Sequence, residues 1–121
     1  MSFQHTETDL PLENEYPKLI RDRIPELVRQ KGVEPSIRKA NSNDEYAAFV
    51  LKKVAEEAQE LSKAETESNL IEEIADVYEI IDALIKAKQL SPEEIAAVKK
   101  EKRQKRGGFD DQLIMLELPK P

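Results

Sequence analysis

A chain of 121 residues has room for one domain with its own core, and the absence of cysteine rules out a disulfide framework and a catalytic thiol. With a single histidine, His5, a zinc site of the usual nitrogen and sulfur type is excluded as well. A net charge of -6 argues against bulk nucleic-acid binding, and the lack of any long apolar run predicts a cytoplasmic chain without membrane insertion.

Residues 1–15, MSFQHTETDLPLENE, are polar and carry no helical period, which predicts a flexible arm ahead of a domain over 16–118. In DRIPELVRQKG, Asp22 is the expected N-cap, Pro25 falls in the first turn and Gly32 stops a short helix. VEPSIRKA, with a proline and the β-branched Ile37, reads as an extended stretch or short strand. Ser42 with Glu45 three residues on forms a capping-box pattern, and it opens a helix expected to run to about Ala64. Its apolar stripe comprises Tyr46, Val50, Val54 and Leu61, with Ala47, Leu51 and Ala58 alongside. TETESN predicts a turn. A second long helix follows from about Asn69 to Lys88, striped by Leu70, Ile74, Val77, Ile81, Leu84 and Ile85. So short a linker makes the two helices antiparallel neighbours. Ser91, Pro92 and Glu94 then open a further helix that ends at Gly107. The closing QLIMLEL is apolar and β-capable, a candidate to pair with the Ile37 segment. The expected fold is thus an all-α antiparallel bundle with a short β pairing that involves the C-terminal tail.

Glutamate on a helix is ordinarily a solvated surface charge. The helical phase separates some acids here from that pattern. With Tyr46 as zero, Val50, Leu61 and Val54 fall at about 40°, 60° and 80°, and Glu57 falls at about 20°, inside the apolar arc. Glu60, at about 320°, sits at the arc's edge beside Phe49, whereas Gln59 points away. On the next helix Glu73 projects between Ile80 and Leu84, and Asp76 borders the arc with Ala83 and Ala87. Glu72, Glu79 and Asp82 occupy the polar side. Two i,i+3 acid pairs on adjacent helices, Glu57 with Glu60 and Glu73 with Asp76, are therefore placed to converge. Like charges so close need a cation, and oxygen-only donors select a hard one: magnesium first, with manganese or calcium as alternatives.

EEAQE at 56–60 followed by EIAD at 73–76 resembles the EExxE…ExxD motif of MazG-like pyrophosphohydrolases. YPKLIRDRIPE at 16–26 and EKRQKRGGF at 101–109 resemble the phosphoribosyl-ATP pyrophosphohydrolase-like, house-cleaning branch of that superfamily. The resemblance implies an all-helical fold, magnesium dependence, cleavage of a nucleoside triphosphate between its α and β phosphates, and assembly as a dimer or larger. It makes Glu57, Glu60, Glu73 and Asp76 the metal ligands. Glu56 becomes the residue that orients or deprotonates the attacking water, although its angle of about 280° equally suits a surface position. The histidine-biosynthesis enzyme of the superfamily, phosphoribosyl-ATP pyrophosphohydrolase, is the alternative activity.

Phosphoryl transfer to water needs charge neutralisation and an aligned nucleophile, with no serine, cysteine or histidine required. Lys18, Arg21 and Arg23 on one side and Lys102 and Arg106 on the other are candidate clamps for the substrate's phosphates. The KKEKRQKR run also complements a helix C-terminus, which is the plainer reading of its charge. Phe109 is expected to anchor the tail in the core rather than to stack on a base. A di-iron bundle would need Glu-x-x-His pairs, which are absent, so the remaining rival is a non-catalytic helical dimerisation module that binds a nucleotide or a structural ion. Wide apolar arcs with three phenylalanines, three tyrosines and no tryptophan to cover them predict a homodimer or a dimer of dimers.

Overall fold

The computed structural model describes residues 16–120, so the arm expected over 1–15 lies outside the described residues. Helices α1 (Ile24–Gln30), α2 (Asn43–Ser62), α3 (Glu67–Ala87) and α4 (Pro92–Arg106) follow in order, and no strand occurs among the described residues. The class is all-α. The chain divides into two compact units, the first ending at Lys88 and the second beginning at Gln89.

The first unit is built on α2 and α3, which pack along their length. They run antiparallel: the Asn43 side-chain Nδ2 at the start of α2 donates to the Ala87 carbonyl at the end of α3, 3.0 Å away. α2 buries Ala47, Val50, Lys53 and Glu57, while α3 buries Glu73, Ile80 and Ala87, one residue in every seven. That seven-residue seam is the spacing of two helices in lengthwise contact. It lies about 90° around α3 from the centre of the stripe expected of that helix, so that Leu70, Ile71, Ile74, Tyr78 and Ile81 are left on an exposed face.

Local signals set where each helix starts. Ser42 Oγ accepts from the Glu45 amide at 3.1 Å, and Thr66 Oγ1 accepts from the Asn69 amide at 3.0 Å. The threonine cap starts α3 at Glu67, two residues ahead of the expected Asn69. Asp22 does not cap α1. Arg23 holds the N-cap position without a side-chain bond, because a backbone turn from the Ile24 amide to the Arg21 carbonyl, 3.1 Å long, already closes the entry. Gly32, at φ 85°, follows the end of α1 as expected.

In the second unit, Ser91 Oγ accepts from the Glu94 amide at 3.1 Å and Pro92 occupies the first turn. Acids in the first turn of α4 and Arg103, Lys105 and Arg106 in its last turn suit the helix dipole. Gly107, at φ 81°, ends it. Two expectations fail here. Neither QLIMLEL nor the Ile37 segment forms a strand, and Leu113, Ile114 and Leu116 are exposed. A β-capable run adopts strand structure only with a partner edge to complete its ladder, which propensity does not supply. Phe109, 96% exposed, is not a core anchor. Its turn is closed by polar bonds instead, from the Gln112 amide to the Phe109 carbonyl at 3.2 Å and from Arg103 to Asp110 at 3.0 Å.

At the α2 N-terminus the expected box is half replaced. Glu45 does not return to the cap residue's amide: its carboxylate accepts from the Asn41 amide at 2.7 Å and from both ends of the Arg38 guanidinium at 2.9 Å. The Arg38 fork, helped by the Asn41 amide, lowers the Glu45 carboxyl from its ordinary 4.5 to about 2. A depressed carboxyl adds stability above its unfolded value and loses it as pH falls towards its folded value. Solvent exposure keeps that contribution small. Glu45→Gln is therefore expected to be slightly less stable than the parent at neutral pH and to lose less Tm between about pH 4.5 and pH 2, as read by circular dichroism melts across that window.

Candidate metal centre

The antiparallel pairing of α2 with α3 sets the acids opposite one another. Glu57 is 5% exposed and Glu73 9%, on facing helices, and Asp76 is half-buried one turn beyond Glu73. One oxygen from each of Glu57, Glu73 and Asp76 lies within 4.8 Å of the other two. Glu57 Oε1 and Glu73 Oε1 are buried and accept no hydrogen bond, while both side chains keep other polar interactions. Such spacing fits oxygen donors around one hard cation. Phase alone accounts for the burial of both glutamates: each sits on the stripe its helix turns towards its neighbour.

The other predicted residues distribute around this group. Glu60, one turn along α2, is half-buried and lies outside the three-acid group. Glu56 is half-buried beside Lys52, Ala55 and Gln59, which line an open groove along α2. Glu72, Glu79 and Asp82 are exposed, as their phase predicts. Of the basic residues, Arg21 reaches the acids: its Nη2 donates to Asp76 Oδ1 at 2.8 Å. Arg23 is instead bound to Glu26 at 2.9 Å, and the Lys18 ammonium lies 5.1 Å from the centre of the Tyr16 ring. Lys102 and Arg106 are exposed on α4, in the second unit.

One residue at the acids was not predicted. Lys53 is 6% exposed, and its Nζ stands 3.8 Å from Glu57 Oε2. The arithmetic that places Glu57 inside puts Lys53 at about 340°, between Glu60 and Tyr46, so the phase itself carried the signal. The assumption that a lysine faces water concealed it.

No family model matches the chain, and no solved structure matches it. Among curated proteins, an uncharacterized protein of Mycolicibacterium smegmatis (strain ATCC 700084 / mc(2)155) is 47% identical over 55 residues, which are 46% of this chain. The match spans 55% of that relative's length. No helix among the described residues is long and apolar enough to cross a membrane.

If the acids hold a cation, stability must depend on it. Millimolar magnesium is expected to raise the Tm by several degrees over chelator, and Glu73→Gln to shrink that difference while holding or raising the Tm in chelator, since it removes one repelling charge. Scanning fluorimetry of both proteins with and without the ion checks this, and an unchanged parent curve would count against the centre.

Proposed function

We propose that the chain is a magnesium-dependent nucleoside triphosphate pyrophosphohydrolase of the MazG-like, house-cleaning kind. The observation that carries the reading is the convergence of Glu57, Glu73 and Asp76 from two helices within 4.8 Å, with oxygen as the sole donor type. Those three would hold the ion, with Glu60 as the fourth ligand that the EExxE motif implies. Bound there, magnesium would neutralise phosphate oxygens and lower the pKa of a water.

The chain's own residues supply the rest. Arg21, half-exposed and already at the rim of the acids through Asp76, is suited to transfer its guanidinium to a phosphate oxygen of the substrate. Lys18 and Arg23, in the same unit as the acids, are the further clamp candidates. Glu56 is the proposed acceptor of the proton that the attacking water releases. Water adds to the α phosphorus, the bond from that phosphorus to the bridging oxygen breaks, and a nucleoside monophosphate and pyrophosphate leave.

A second reading has an observation of its own. Arg21 and Lys53 already give the acids cationic partners, as in a structural ion-pair cluster, which would suit a non-catalytic module. Incubation with pooled nucleotides and magnesium separates the two: pyrophosphate and monophosphate are expected, and neither should form from a structural cluster. Asp76→Asn is expected to abolish turnover, while Glu72→Gln and Glu79→Gln leave it nearly unchanged. Arg21→Ala is expected to raise KM on the order of tenfold through loss of one charged hydrogen bond. Equal losses at Asp76 and Glu72 would sink the assignment.

The exposed apolar face of α3, where Ile71 is 62% and Tyr78 69% exposed, supports assembly as a homodimer or dimer of dimers. Light scattering at micromolar concentration is expected to give at least twice the 13.8 kDa chain mass, and an active monomer would remove this part of the reading.

A further inference from the structure

Among the described residues, the charged side chains that are buried are Lys53, Glu57 and Glu73, all three in the α2–α3 pair. Lys53 lies four residues before Glu57, with both side chains 7% exposed. Helix stabilisation does not explain this pair, since lysine ahead of glutamate is the weaker order for an i,i+4 ion pair. Packing does not explain it either. An apolar side chain of equal length would fill the position without the cost of burying an ammonium. The acids do explain it, because three carboxylates within 4.8 Å repel one another and need positive charge close by.

Arg21 and Lys53 meet that need differently. Arg21 approaches from outside, 53% exposed, and bonds Asp76 Oδ1 at 2.8 Å. Lys53 stands inside the helix pair, and its 3.8 Å spacing to Glu57 Oε2 is an ionic contact longer than a hydrogen bond. We propose that Lys53 is the internal counter-cation of this carboxylate group: it holds Glu57 in the metal-free protein and opposes a divalent ion at the same acids. The second half rests on the metal-centre reading; the first does not. Lys53 is on this account a positioning residue, and the chain gives up some metal affinity to keep a folded metal-free state.

The test uses the full chain, freed of metal by chelation, as the parent, Lys53→Met, Glu57→Gln and the double variant. In chelator, Lys53→Met is expected to lower the Tm by several degrees, and the same change in the Glu57→Gln background to cost much less. Equal losses in both backgrounds would mean that Lys53 merely fills space, which overturns the proposal. If Lys53→Met does not fold, a folded double variant supports the proposal, and an unfolded double variant beside a folded Glu57→Gln overturns it. Calorimetric titration with manganese supplies the second readout: Lys53→Met is expected to bind about tenfold more tightly than the parent, since a nearby like charge has gone. Equal or weaker binding overturns the opposition to metal. A parent that binds no manganese removes the metal centre and the proposed activity, and the counter-cation assignment then stands or falls on the unfolding cycle.

Discussion

Repulsion among carboxylates enclosed between two helices is the constraint on which the rest of this structure depends. Two glutamates that are more than nine-tenths buried, with an aspartate beside them, would be forced to protonate or to open the pair if nothing balanced them. The chain answers with its own cations, an ammonium from within α2 and a guanidinium from the segment before α1. Only the second can leave at little cost. An exposed arginine exchanges freely with solvent, whereas a buried lysine has nowhere else to put its charge.

The apolar core around these charges is slight. Ile24, Ala47, Val50, Ile80 and Ala87 are the buried hydrophobic residues among those described, two of them alanines. Both alanines lie at the end of the helix pair away from the acids, and at the acids themselves the buried positions are held by Lys53, Glu57 and Glu73 instead of apolar side chains. The same thin core leaves much aliphatic surface on α3 outside it. Stability and the chemistry of the acids thus compete for one helix face, and apolar side chains surrendered to Glu57, Glu73 and Lys53 are missing from the core.

Helix caps fix the ends of the pair that carries the acids. Ser42 and Thr66 decide where α2 and α3 begin. They do not set which face turns inward: α3 opens two residues ahead of the expected Asn69, and Glu73 is buried all the same, because residue spacing fixes its direction relative to the apolar side chains that pack against α2. Glu57 lies fifteen positions beyond the Ser42 cap, within one continuous helix.

What the sequence determined by itself is whatever depends on helical phase and local chemistry. The all-α class, the serine caps of α2 and α4, the glycine stops, the antiparallel pair, the inward direction of Glu57 and Glu73 and the outward direction of Glu72 and Glu79 are consequences of residue spacing along a single helix. What required the tertiary structure is whatever depends on a second element: that Glu60 stays outside the three-acid group, that Arg21 and not Arg23 reaches Asp76, that Lys53 turns inward, and that the QLIMLEL run finds no strand to join. Spacing gives each side chain a direction on its own helix, but distances between helices follow from packing, and packing is set by long-range contacts that no local pattern encodes.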